Sequence, residues 1–236
     1  MARFPRVVAT GLPHHVTQRG NARRLVFESD TDRVIYLQLL DSDCQFHGVS
    51  VIGFCLMSNH VHLVLVPRQA NSMGLALRQT HGRYASYLNA RYGNSGHVWQ
   101  GRYSSCPLDT DHLWAALRYT KRNPVRAGMV EAPDPYRWSS AALHCGGADG
   151  HIPLHVDFEL WQATWSPVSW RDFLGLADAD QEIELLRANT HTGRPLGAAD
   201  FVKGLEHTLH RSLAPQKGGR PRKRGNDSAQ TVFGFS

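Results

Sequence analysis

Two β-rich runs, Val49–Met57 and His60–Val66, are separated only by Ser58-Asn59. A two-residue gap between strand-like runs leaves room for nothing but a tight antiparallel hairpin, and the rest of the fold must be assembled around it. Side chains alternate faces along a strand, so His60 and His62 project together on one side. Val61, Leu63 and Leu65 take the other, core-facing side.

The flanking text extends the hairpin into a sheet. His14–Arg19 (HHVTQR) reads as a strand closed by Gly20-Asn21. Asp30–Phe46 repeats Val34, Leu37, Leu40 and Cys44 at helical spacing, with Ser29/Asp30 as N-cap. Asn71–Tyr92 reads as a second helix, Gly101–Leu108 as a short strand, and Asp111–Arg122 as a helix stopped by Asn123-Pro124. The order β-α-β-β-α-β-α predicts an α+β chain: a ferredoxin-like (split βαβ) antiparallel sheet with one added helix. Helices are expected on one face, leaving the other free for a ligand or an active site.

After Ser140 the text changes. Gly146-Gly147-Ala148-Asp149-Gly150 reads as a linker. Leu154–Trp165, Trp170–Leu176, Asp180–Thr190 and Ala198–Leu213 read as short helices, and Pro215–Arg224 (PQKGGRPRKR) as a disordered basic arm. The expected organisation is a domain over 1–145, a helical extension over 146–214 and a basic tail over 215–236. Charge divides the chain in the same way. Residues 1–147 are net +7, 148–214 net −5 and 215–236 net +4, within an overall +6 and a pI near 9.4. Of the 26 cations 22 are Arg, the side chain that pairs bidentately with phosphate, which suits a polyanion; a GC-rich genome would produce the same bias.

The four cysteines, Cys44, Cys55, Cys106 and Cys145, form no CxxC pair, so neither a zinc ribbon nor a disulfide framework is expected. The N-terminal MARFPRVVATGLPHH lacks an apolar secretory core, and the longest apolar stretches fall far short of a bilayer span. These features predict a cytoplasmic protein with no membrane association.

Chemistry concentrates in Met57-Ser58-Asn59-His60-Val61-His62-Leu63. Two imidazoles one rung apart suit a divalent cation, although a His-x-His also occurs as a structural pair. Tyr119 and Asn123 are four residues apart and share a helical face. If that helix docks beside the sheet, Asn123 could lend an oxygen as third ligand and Tyr119 could aim at a phosphorus. The same two residues also read as a packed tyrosine and an asparagine capping the helix before Pro124.

Five phrases in order carry a resemblance over roughly His14–Ala141: His15-Val-Thr-Gln-Arg-Gly-Asn21, Met57–Leu63, Trp99-Gln-Gly-Arg-Tyr103, Tyr119-x3-Asn123-Pro-Val-Arg-Ala-Gly128 and Trp138-Ser-Ser140. They resemble the single-tyrosine HUH transposases, and more closely the REP-associated tyrosine transposase branch. Thr192–Gly197 and Gly219–Lys223 are similar to that branch's C-terminal extension. Ser58 departs from the Pro usual before the Asn-His; it lies outside the ligand positions. The resemblance implies that His60 and His62 are the HUH motif, Tyr119 the nucleophile and Asn123 the third ligand of Mg²⁺ or Mn²⁺. It also implies a 5′-phosphotyrosine intermediate and palindromic hairpin DNA as substrate. A strand exchanged through such a linkage needs no ATP, consistent with the absence of a GxxxxGK[ST] loop.

Arg19, Arg23, Arg24, Arg83, Arg102, Arg118, Lys121, Arg122 and Arg126 flank these words and could follow a phosphate backbone. Arg220, Arg222, Lys223 and Arg224 of the arm would add non-specific affinity. The expected partner is single-stranded or hairpin DNA, bound by a monomer or homodimer. The competing reading is a non-catalytic nucleic-acid-binding protein on the same sheet. A zinc hydrolase using His60 and His62 lacks a third ligand and a base nearby.

Overall fold

The computed structural model describes residues 6–147 and 152–214. The basic arm, with Arg220, Arg222, Lys223 and Arg224, lies outside the described residues, as does the 148–150 end of the glycine-rich junction. Strands β1 (His14–Arg19), β2 (Val49–Met57), β3 (His60–Pro67) and β4 (Ser104–Pro107) form one antiparallel sheet in the order β2-β3-β1-β4. This is the split βαβ arrangement. The hairpin turns at Ser58-Asn59, with Met57 opposite His60.

Helices α1 (Asp30–His47) and α2 (Ser72–Tyr92) cover one face. The local chemistry of α1 explains its ends. Ser29 accepts from the Asp32 amide while Asp32 accepts from the Ser29 amide, and Gly48 leaves the helix in a left-handed conformation at φ 66°. Tyr36, Leu37, Leu40, Met73, Leu77 and Tyr84 bury against Val16, Phe54, Val61, Leu63 and Leu65, the face that strand alternation assigns to the core.

The opposite face is not free. Helix α3 (Thr110–Arg126) lies across it, and its Leu113, Trp114 and Leu117 bury against Ile52 and Val64. Alternation shows that His60, His62 and Val64 share a face, and Val64 needs an apolar cover as much as Leu63 does. A bulge at Ile52 and the glycine after it admit the helix. A Cβ on Gly53 would sit 2.4 Å from Leu117 Cδ1 and 3.2 Å from Ser140 Oγ. Gly53→Val is expected to cost about 1–3 kcal/mol by overpacking this contact. Urea unfolding measures it, and an unchanged midpoint would mean that Leu117 has room to swing aside.

The extension packs on the same side. After α4 (Ala141–His144) and α5 (Glu159–Gln162) come α6 (Pro167–Gly175), α7 (Asp180–Thr192) and α8 (Ala199–Leu209). Trp161, Trp170 and Leu174 join the core beneath α3, while Ile183, Leu186 and Leu196 join Cys106, Leu108 and Ala116. Leu196 also makes a parallel bridge to Leu108 beside β4. The acidity of this segment has a local purpose. Glu182 pairs with Arg118 at 3.4 Å, and Asp178 pairs with both Arg122 and Arg126 at 3.0 Å.

Helix α3 does not stop at Asn123-Pro124 but continues to Arg126. Proline has no N–H for the Thr120 carbonyl four residues back. Asn123 Nδ2 donates to that carbonyl at 3.2 Å and to the Tyr119 carbonyl at 3.1 Å, and the Ala127 amide resumes the ladder at the Asn123 carbonyl. Strand β4 and helix α5 are shorter than expected, since the ladder begins at Ser104 and a single turn forms at Glu159–Gln162. The four cysteines are buried and free. No helix among the described residues is long and apolar enough to cross a membrane.

Candidate active site

Pairing of β1 with β3 sets Thr17 opposite His62 and Arg19 opposite His60. His15, two residues before Thr17, therefore joins the same face. The His15 and His62 rings stack at 5.4 Å, and His60 meets His62 edge-on at 4.9 Å. Tyr119 descends from α3 onto this row, its ring 5.4 Å from His62 and 5.6 Å from His15, both edge-on. One chain thus supplies the tyrosine and the histidines together. Asn123 follows one helical turn on and lines the same cleft of about 540 Å³.

The sheet alone does not make the site. Helix α7 brings Arg187, whose Nε donates to the Tyr119 hydroxyl at 3.1 Å, and Thr190, whose hydroxyl meets His15 Nδ1 at 2.8 Å. Arg126 stacks over the Tyr119 ring at 4.2 Å and donates to the Tyr119 carbonyl. His15, Arg187 and Thr190 escaped the sequence reading. His15 was within reach, because HHVTQR alternates and one register step would have placed it beside His62. Nothing in the spacing of α7 signals Arg187 or Thr190.

The predicted arginines divide. Arg19, Arg102 and Arg126 line the cleft with Arg187, and no carboxylate among the described residues lines it. Arg23 sits exposed in a short turn after β1 and does not line the cleft; the Arg23 carbonyl accepts from Asn59. Arg83 is on α2, behind the sheet, bound to Asp43 at 3.1 Å. Arg122 is committed to Asp178 and to the Leu174 carbonyl. Arg118 is held by Glu182, and Lys121 is fully buried with its ammonium 4.6 Å above the Trp170 ring. A cation near a site word can as readily serve the core as the ligand, and only packing separates the two.

Burial sets the charge of the histidines. His60 is held down to about 4 by burial and by Arg19, and His15 to about 3 by burial and by Arg126. Burial also pushes His62 well below its ordinary value, with His15, His60, Arg126 and Arg19 adding to the effect. All three rings are neutral at pH 7, the form that ligates metal. His60 Nδ1 contacts Asn59 Oδ1 at 2.6 Å and His62 Nδ1 contacts His15 Nε2 at 3.1 Å, leaving Nε2 of each ring for a cation. With the Asn123 amide nitrogen committed to its own helix, the Asn123 oxygen is its available ligand atom. Among the described residues no three His, Cys, Asp or Glu side chains converge as a complete ligand set. Two imidazoles and an amide oxygen could hold a divalent cation in an open site that water and phosphate would complete.

A split βαβ sheet carries a histidine row, with a tyrosine laid over it and arginines at the rim of the cleft. Residues 9–123 match the family of IS200-like transposases. The match ends at Asn123, so the extension lies beyond it. Among solved structures the chain is similar in fold to a REP-associated tyrosine transposase bound to a REP hairpin. The TM-score is 0.53 and the identity 15%, over 66% of this chain and 93% of that one. A structure from Deinococcus radiodurans is matched at TM-score 0.36 and 15% identity, over 50% of this chain and 95% of that one. No curated protein matches the sequence.

Proposed function

We propose that this transposase cleaves and rejoins single-stranded DNA at palindromic hairpins through a 5′-phosphotyrosine intermediate, with Mg²⁺ or Mn²⁺ bound by His60, His62 and Asn123. The observation that carries the reading is Tyr119 set edge-on to His62 at 5.4 Å in a cleft lined, among the described residues, by four arginines and no acid. The solved structure of similar fold, which holds a REP hairpin, supports the choice of substrate.

Bound cation would neutralise the phosphodiester oxygens that otherwise repel a nucleophile. Arg19 and Arg102 would hold the backbone on either side as positive partners for phosphate. The Tyr119 oxygen attacks phosphorus as the bond to the 3′ oxygen breaks. The phenolic proton leaves to cleft water, and the departing 3′ oxygen takes one up as a hydroxyl. The Arg187 N–H on the phenol oxygen favours the developing phenolate, and Arg126 over the ring supplies a second positive charge. The linkage retains the energy of the phosphodiester, so attack by another 3′-hydroxyl reseals the strand and frees Tyr119.

A 5′-labelled and a 3′-labelled hairpin oligonucleotide, each with a single-stranded flank, test this with Mg²⁺ and without ATP. The expected result is a denaturation-resistant adduct carrying the 3′-labelled fragment only, abolished by EDTA. Tight hairpin binding with no adduct under any divalent cation would leave a binding module and sink the enzymatic reading.

A further inference from the structure

A neutral imidazole has a lone pair on one nitrogen only, so the partner of the other nitrogen decides which one can ligate. For His60 that partner decides outright. Asn59 Oδ1 only accepts, and the amide is oriented by its Nδ2 donating to the Arg23 carbonyl at 3.2 Å. Nδ1 of His60 therefore carries the proton, and Nε2 is free.

His62 has no such one-way partner. Its Nδ1 meets His15 Nε2 at 3.1 Å, and His15 Nδ1 meets Thr190 Oγ1 at 2.8 Å. Each of these contacts can be donated from either end, so the chain has two polarities. Protons running from His62 to His15 to Thr190 leave Nε2 of His62 with its lone pair. Protons running from Thr190 to His15 to His62 put a hydrogen on Nε2 and disable it as a ligand. The three side chains are 5%, 1% and 3% exposed, so each depends chiefly on its protein partner in this chain.

We propose that Thr190 and His15 are positioning residues that hold His62 as the Nδ1–H tautomer, so that the helical extension completes a metal site otherwise built on β3 and α3. This rests on the reading that His60 and His62 bind the cation. It makes residues beyond 123, outside the segment that matches the family, part of the working site.

Full-length protein labelled with ¹⁵N-histidine tests the relay through long-range ¹H–¹⁵N spectra, with Mn²⁺ titrated separately by electron paramagnetic resonance. Wild type is expected to show Nδ1–H at both His60 and His62. Thr190→Val is expected to lose the single tautomer at His62, keep it at His60, and weaken Mn²⁺ binding about 10–100-fold. Thr190→Ser, which restores the hydroxyl, is expected to recover both, and His15→Phe to behave like Thr190→Val. A His62 tautomer and Mn²⁺ affinity unchanged by Thr190→Val would overturn the relay, as would Nε2–H at His62 in wild type. Wild-type protein that takes up no Mn²⁺ would instead overturn the metal reading of the cleft, and the tautomer spectra would still decide the relay.

Discussion

Tyr119→Phe is expected to lower covalent adduct formation by at least about a thousandfold while hairpin binding stays within a few-fold of wild type. The substitution removes one oxygen. The ring remains to pack on His62 and His15, Arg126 still has a face to stack on, and the neighbouring contacts of Ala116, Ile183 and Leu186 are untouched. Only the Arg187 hydrogen bond is lost, and Arg187 is exposed enough to find water. Structure and function therefore separate cleanly at this position. Adduct yield on a denaturing gel and filter binding of the same labelled hairpin provide the two readouts. Cleavage persisting in the variant would assign the nucleophile elsewhere. Three of the other six tyrosines are poor substitutes: Tyr36, Tyr84 and Tyr136 are buried, with hydroxyls bound to His81, the Val26 carbonyl and the Leu56 carbonyl.

Acid is expected to unfold the protein steeply. Burial holds His14 and His60 at about 4 and His15 and His81 at about 3, and lowers His62 and His144 well below the ordinary value. An unfolded histidine titrates near 6.5, so between that pH and about 4 the unfolded chain binds protons that the folded chain refuses. Stability then rises with pH across this window and falls as pH is lowered, by about 1.4 kcal/mol per pH unit for each such group. Several groups acting together exhaust a typical stability of about 5–15 kcal/mol before pH 4. Below about 3–4 the folded rings of His14, His15, His60 and His81 charge as well, and their share of the loss stops growing. Urea midpoints measured from pH 7.5 to 4.5 check this, and a midpoint flat across the range would contradict it. Well above the unfolded histidine value, by about pH 7.5, these histidines contribute almost no slope.

The hairpin and its faces were legible because strand alternation is a local rule. Two residues between Met57 and His60 leave one connection, and period two puts His60 with His62 and Val61 with Leu63 whatever else the chain does. What covered the histidine face was a different matter. It depended on Leu117 meeting Gly53, on Trp170 meeting Lys121, and on Asp178 reaching two arginines more than fifty residues earlier in the chain. The arginines show the limit most plainly. Arg122 and Arg126 are one helical turn apart and both bind Asp178, yet only Arg126 also stacks on Tyr119. Pro124 misled for a related reason. It does remove a hydrogen bond, and the neighbouring Asn123 side chain replaces that bond, so the helix continues.

The sequence by itself determined the β2–β3 hairpin, the face shared by His60 and His62, and the helix that carries Tyr119 and Asn123, because each follows from the spacing of near neighbours. Only the tertiary structure decided that Tyr119 lies against those histidines and that His15, Thr190 and Arg187 complete the cleft. Contacts between distant segments are chosen by shape, burial and charge pairing over the whole molecule, and no short stretch of chain encodes them.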